Sequence, residues 1–199
     1  MPSQLRLPGI AAPAPETDRL FFALLPDDAA TQEILRCGQE IQQKNGHQSR
    51  MIETHRLHLS LHHLGNHAGI PTSWVNVVRR AATKVNFPAF DLCLDRALTF
   101  SGRVREPRQL PCVLTTSSDL GTPRLQRALG LAMRDCGIPV PLRAFNPHIT
   151  MFYDRAVVEE CAIQPIHFRV REFVIVHSRI GTGRPYELLG RWSLGSGNS

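Results

Sequence analysis

Two tripeptides on alternating, strand-like segments place a hydroxyl two residues after an imidazole: His58-Leu59-Ser60 and His148-Ile149-Thr150. Imidazoles titrate near neutral pH, so two of them can divide proton work, one taking a proton from water and the other giving one to a leaving oxygen. A hydroxyl beside each can donate to an anionic oxygen and stabilise charge that develops in the transition state. A phosphodiester suits such a set, above all a strained cyclic one: it is anionic, is attacked in line, and releases an alkoxide that leaves once protonated. That scheme needs no metal and no other cofactor.

The tripeptides gain weight from the elements that hold them. Along 55–64, Leu57, Leu59 and Leu61 alternate with His58, Ser60 and His62, which predicts a half-buried strand with a polar face. Along 145–153, His148, Thr150 and Phe152 share one face and Ile149, Met151 and Tyr153 the other. Each His therefore shares a face with its hydroxyl partner, and the two strands can line a cleft.

The remaining elements follow from periodicity and punctuation. A strand is expected over 19–25, then a helix capped by Asp27 or Asp28 and running to about Lys44. A second helix fits 72–85 and strands fit 90–98 and 110–116; Ser117 or Ser118 caps a helix over 120–136, closed by Gly137. A short helical segment is expected near 156–162, and last strands over 167–176 and 186–194. The two halves look alike, with His58 and His148 ninety positions apart, which fits a two-lobed α+β architecture of two mostly antiparallel sheets around a cleft. Residues 1–17 read as a flexible leader, 18–195 as one bilobal domain and 196–199 as a flexible tail.

Composition narrows the partners. The 199 residues carry a net charge of +6, with 42% hydrophobic and 20% charged residues, values of an ordinary globular protein. No apolar run is long enough to span a membrane, and Pro8, Pro13 and Pro15 break up the leader where a signal peptide needs a continuous apolar middle. The surplus positive charge favours an anionic partner, yet no block of basic residues marks a nucleic-acid arm. Arg103, Arg105 and Arg108 form a loop that can guide an RNA strand or sit in solvent. Phe21 and Phe22 read mainly as core, and Trp192 as core or lobe packing.

Five of the nine histidines (55, 58, 62, 63, 67) crowd together, which raises a metal site. Strand alternation brings only His58 and His62 to one face, too few for zinc, so no metal ligands are assigned; His55, His62, His63 and His67 read as strand-end and loop surface. Five cysteines without a C-x-x-C pair suggest neither a disulfide framework nor a thiolate metal site, and a reducing cytoplasm is the simplest setting.

The segment from His58 to Gly65 resembles the "HLTLxxLG" motif of the two-histidine phosphoesterase superfamily, and the segment from Phe145 to Met151 resembles its "FxPHITL" motif. Arg19-Leu20-Phe21-Phe22-Ala23 is similar to the first strand of the RNA 2′,3′-cyclic phosphodiesterase (2′-5′ RNA ligase) branch. The run through Arg184, Tyr186, Leu189, Trp192 and Leu194 is similar to that branch's closing motif.

The resemblance implies a bilobal pseudo-twofold fold with His58 and His148 as the catalytic pair, Ser60 and Thr150 as phosphate-contacting hydroxyls, and His148 activating water while His58 protonates the 3′ oxygen. It implies a monomer acting on RNA or nucleotide 2′,3′-cyclic phosphate ends, with no membrane partner and with 2′-5′ RNA ligation as the reverse sense of the chemistry. A cyclic (oligo)nucleotide phosphodiesterase on the same scaffold, or a non-catalytic nucleotide-binding module, are the alternatives. Ser60 stands where the family usually has threonine. Tyr153 stands where many members carry an arginine, and it is read as a substrate contact, although alternation puts it on the face away from His148 unless a bulge intervenes.

Overall fold

Eight strands with alternating or wholly apolar patterns pair into one antiparallel sheet in the computed structural model, which describes residues 14–100, 109–140 and 145–195. They are β1 (Asp18–Leu24), β2 (Leu59–His67), β3 (Phe90–Thr99), β4 (Leu110–Thr115), β5 (His148–Asp154), β6 (Cys161–Val170), β7 (Glu172–Arg179) and β8 (Glu187–Ser193). Three helices, α1 (Asp28–Asn45), α2 (Thr72–Thr83) and α3 (Gly121–Arg134), complete the α+β fold. The order across the sheet is β6-β3-β4-β5-β2-β1-β7-β8.

The two central strands meet at a single backbone partnership, Leu59 with Ile149, whereas the flanking pairs run in register over most of their length. The sheet is thus two four-stranded halves joined at one bridge. The halves of the sheet are not the halves of the sequence. Strand β3 pairs with β4 and β6, while β7 and β8 return to extend β1. Helix α1 packs on β5 and β6, and α3 on β2, β3 and α2. The half built of β1, β2, β7 and β8 draws its strands from both ends of the chain, because β1 takes β7 on its second edge, whereas β3 to β6 form a continuous middle stretch.

Strand β1 shows how the layers form. Leu20, Phe22 and Leu24 point into the main core beneath the helices, whereas Phe21 and Ala23 face the other way and pack with Val174 and Val176. Burying each large apolar side chain contributes about 1.5–3 kcal/mol. Helix α1 starts where the Asp27 carboxylate accepts from the Ala30 N–H at 2.8 Å, buries Ala30, Ile34 and Ile41 at helical spacing, and stops at Gly46 with φ +68°.

Four expectations need correction. Residues 156–160 are irregular and β6 begins at Cys161, so no helix forms near 156–162. The single strand expected over 167–176 is two strands, because the chain turns at Arg171 and β6 and β7 join different halves of the sheet. Asp119, not Ser117 or Ser118, caps α3: its carboxylate accepts from the Gly121 and Thr122 N–H groups at 2.8 and 3.1 Å, while Ser117 bonds Asp95. His62, expected at the surface, is buried. Residues 1–13, the arginine loop at 103–108 and the tail at 196–199 lie outside the described residues. Among the described residues no helix is long and apolar enough to cross a membrane.

Candidate active site

The Leu59–Ile149 bridge sets the geometry of the site. In an antiparallel pair with that register, His58 lies alongside Thr150 and Ser60 alongside His148, and the two imidazoles sit on the diagonal. Diagonal neighbours stand roughly 7–8 Å apart, close enough for one small anionic group to touch both side chains. The structure therefore brings together all four residues of the two tripeptides, each His offered beside the hydroxyl from the opposite strand.

The two histidines are held alike. Nδ1 of His58 lies 2.8 Å from the carbonyl oxygen of Arg56, and Nδ1 of His148 lies 2.7 Å from that of Asn146. A carbonyl only accepts, so Nδ1 carries the proton in both rings and the neutral imidazole keeps its lone pair on Nε2. The backbone between Asn146 and His148 is fixed in turn, since the Pro147 carbonyl accepts from Thr115 Oγ1 at 2.9 Å. One phenylalanine flanks each ring: Phe21 at 4.8 Å from His58 and Phe100 at 4.9 Å from His148, centroid to centroid.

The strands that carry them share a second device. Opposite β1, the register of β2 skips Leu61; opposite β4, that of β5 skips Met151. These matched bulges make two consecutive residues on each strand buried, Leu61 with His62 and Met151 with Phe152. The residue after each pair is thereby returned to the His–hydroxyl face: His63 on β2 and Tyr153 on β5. The face expected to hold His58, Ser60 and His62 holds His63 instead of His62. The buried His62 turns to α3 and donates from Nε2 to the Gln126 carbonyl at 2.7 Å. Burial makes the Tyr186 phenol harder to ionise, and Tyr153, itself 41% exposed, stands near enough to add to that shift.

A cavity of about 350 Å³ opens along the His58 wall, lined by Arg19, Arg56, His58, Ser60, His63 and Tyr186 among others. His148, Thr150 and Tyr153 lie beside it on the neighbouring strand, outside its lining. Arg56 Cζ sits 4.5 Å over the Tyr186 ring, and its Nη1 donates to the Arg184 carbonyl at 2.6 Å, so the β7–β8 hairpin is tied to the start of β2. Tyr186 meets His58 edge-on at 5.4 Å. Phe21 and Tyr186 strip water from the His58 imidazole, which lowers its pKa from near 6.5 to about 4; the carbonyl of Arg56 opposes the shift, and the charges of His148, Arg56 and Arg19 add to it. His58 is thus neutral at pH 7, with a free Nε2 lone pair.

Sequence reasoning missed Arg56 and Phe100, which carry no motif signal, and did not place His63, exposed as expected, on the cleft face. Phe21, read as core, is buried but touches His58, while Trp192 stacks on Phe173 at 5.5 Å as core. A larger groove of about 850 Å³ between α1 and β6 contains neither motif histidine. Among the described residues no group of three or more His, Cys, Asp or Glu side chains is placed to hold a metal ion, and all five cysteines are free thiols.

Solved structures share this architecture. E. coli LigT in its apo form matches with a TM-score of 0.67 at 26% identity, covering 92% of this chain and 100% of LigT. A protein described as a phosphoesterase matches with a TM-score of 0.66 at 28% identity, over 91% of this chain and 100% of its own. A protein of Thermus thermophilus shares the fold with a TM-score of 0.70 at 20% identity, over 90% of this chain and 100% of its own. LigT has also been solved complexed with 3′-AMP and with ATP. No family model matches the chain, and no curated protein matches its sequence. The fold and these neighbours are consistent with the two-histidine phosphoesterase superfamily that the two motifs resemble.

Proposed function

We propose that this two-histidine phosphoesterase scaffold hydrolyses 2′,3′-cyclic phosphate ends of RNA or nucleotides to 2′-phosphates, with residues 18–195 acting as one bilobal domain. The observation that supports this most is the matched pair of Nδ1–carbonyl bonds, which leaves the Nε2 lone pair of each imidazole free for proton transfer. The nucleotide complexes of LigT favour a nucleotide as the group bound there.

The step balances with these residues alone. A water oxygen attacks phosphorus opposite the 3′ oxygen and passes its proton to the Nε2 of a neutral histidine. The P–O3′ bond breaks, and the 3′ oxygen takes a proton from the Nε2 of the other, protonated histidine. Ser60 and Thr150 donate to the non-bridging oxygens, whose charge grows in the transition state. The product is a 2′-phosphomonoester with a free 3′-hydroxyl, and solvent returns the proton from one imidazole to the other.

Desolvation supports His58 as the base and His148 as the acid, the reverse of the division expected from the resemblance, since a group titrating near 4 is uncharged before substrate arrives. The test is turnover by the purified protein, in EDTA, of 2′,3′-cyclic mononucleotides and a cyclic-phosphate-ended oligonucleotide. The reading expects a 2′-phosphate product; failure to turn over either substrate, or a product phosphorylated at 3′, would overturn it.

A further inference from the structure

The cavity beside His58 extends past what one phosphate needs. Ser60 pairs with Ala23 and His63 with Phe21, so the cleft-facing positions of β2 advance by two rows of β1, about 7 Å at the strand rise. Past His63 the lining continues to Arg19 and Asn66. Among the described residues no carboxylate pairs with Arg19, although Arg50, Arg96, Arg169 and Arg191 each have one. Its Nε donates to Asn66 Oδ1 at 3.1 Å, which steadies the guanidinium and leaves both Nη groups without a protein acceptor there. Arginine only donates, so Asn66 must present its oxygen to Arg19, and its NH₂ remains a second unused donor. This end of the cavity is a cluster of donors around a positive charge, which suits a second anionic group.

We propose that Arg19, Asn66 and His63 form a subsite for a second phosphate, the one on the 5′ oxygen of the nucleotide whose cyclic phosphate is opened. The chemistry fixes that position, because an RNA 3′ end carries its next phosphate at the 5′ oxygen of the terminal ribose, and one ribose spans the two rows between Ser60 and His63, toward which the Arg19 side chain reaches from two rows further on. The same phosphate occurs as an internucleotide diester or as a terminal 5′-monoester. The inference rests on the proposed reaction and narrows its substrate from any cyclic nucleotide to one bearing a 5′-phosphate.

The test separates the subsite from the chemistry. Binding of a nucleoside 2′-monophosphate, the matching 2′,5′-bisphosphate and a 2′-phosphate-ended dinucleotide is measured by calorimetry on the wild type, Arg19→Gln and Asn66→Ala. Charge-assisted bonds to the second phosphate predict about 10- to 100-fold tighter binding of the bisphosphate and dinucleotide than of the monophosphate. That ratio falls towards one in Arg19→Gln, and Arg19→Lys, which keeps the charge but loses the bond to Asn66, restores part of it. Equal affinities in the wild type, or a dinucleotide preference that the bisphosphate does not share, overturn the subsite. A wild-type ratio that survives Arg19→Gln overturns it as well. A subsite that behaves as described in a protein that turns over no cyclic phosphate instead overturns the reaction.

Discussion

The His58 environment predicts a specific loss of stability in acid. Unfolding returns this imidazole to water and to a pKa near 6.5, whereas the folded protein holds it at about 4. Its folded value is depressed, so the unfolded chain binds the extra proton first: the stability contribution is complete above pH 6.5 and is lost as pH falls towards 4. Between pH 8 and pH 5 the difference amounts to about 2 kcal/mol from this one group. Replacing His58 with Gln removes the titration while keeping a side chain of similar length. Urea unfolding of wild type and His58→Gln at pH 8, 7, 6 and 5 should therefore give curves that converge in acid, the variant losing about 2 kcal/mol less. Other titrating groups change both proteins together and drop out of the comparison. Parallel stability curves would refute the claim that Phe21 and Tyr186 desolvate the ring.

Further expectations concern neighbouring residues. Ser60→Ala and Thr150→Val should each lower kcat by about 10²-fold with small changes in KM, in steady-state kinetics, because their hydroxyls act on transition-state charge. Tyr153→Ala should lower kcat/KM about tenfold or more through loss of base stacking, while Tyr153→Phe stays near wild type. His177 is buried with Nε2 2.5 Å from Asp18 Oδ1 and Nδ1 3.1 Å from Glu187 Oε2, so its ring clasps β1 to β7 and β8. His177→Ala should cost about 1–3 kcal/mol in urea unfolding, since it removes the only histidine bond to the Asp18 carboxylate, which keeps its donors from Thr17 Oγ1 and the Gly69 N–H.

Much of this site is legible in the sequence, for a physical reason. Alternation over His58-Leu59-Ser60 and His148-Ile149-Thr150 reports which face each side chain takes, and the Leu59–Ile149 bridge joins them where both strands keep that alternation. The pattern misleads one step further along. Leu61-His62 and Met151-Phe152 are consecutive inward residues, and the break in alternation is the trace a bulge leaves. In β5 two adjacent apolar residues make that trace readable; in β2 the inward residue is a histidine, so His62 passes for surface. Gly65, with φ +106°, sits beside the second register shift on β2, where a backbone conformation closed to most side chains is needed. The exchange of β3 and β7 between lobes leaves no local mark, since it depends on which distant strand a buried edge accepts.

The claim that matters most is that two imidazoles act as one acid–base pair. Single-turnover hydrolysis of a 2′,3′-cyclic mononucleotide in EDTA, measured for wild type, His58→Asn, His148→Asn and the double variant, tests it most directly. Each single variant should lose about 10³-fold or more, and the double variant should be little worse than either, as expected of groups that work together. A single variant that keeps its rate within tenfold of wild type would contradict the account.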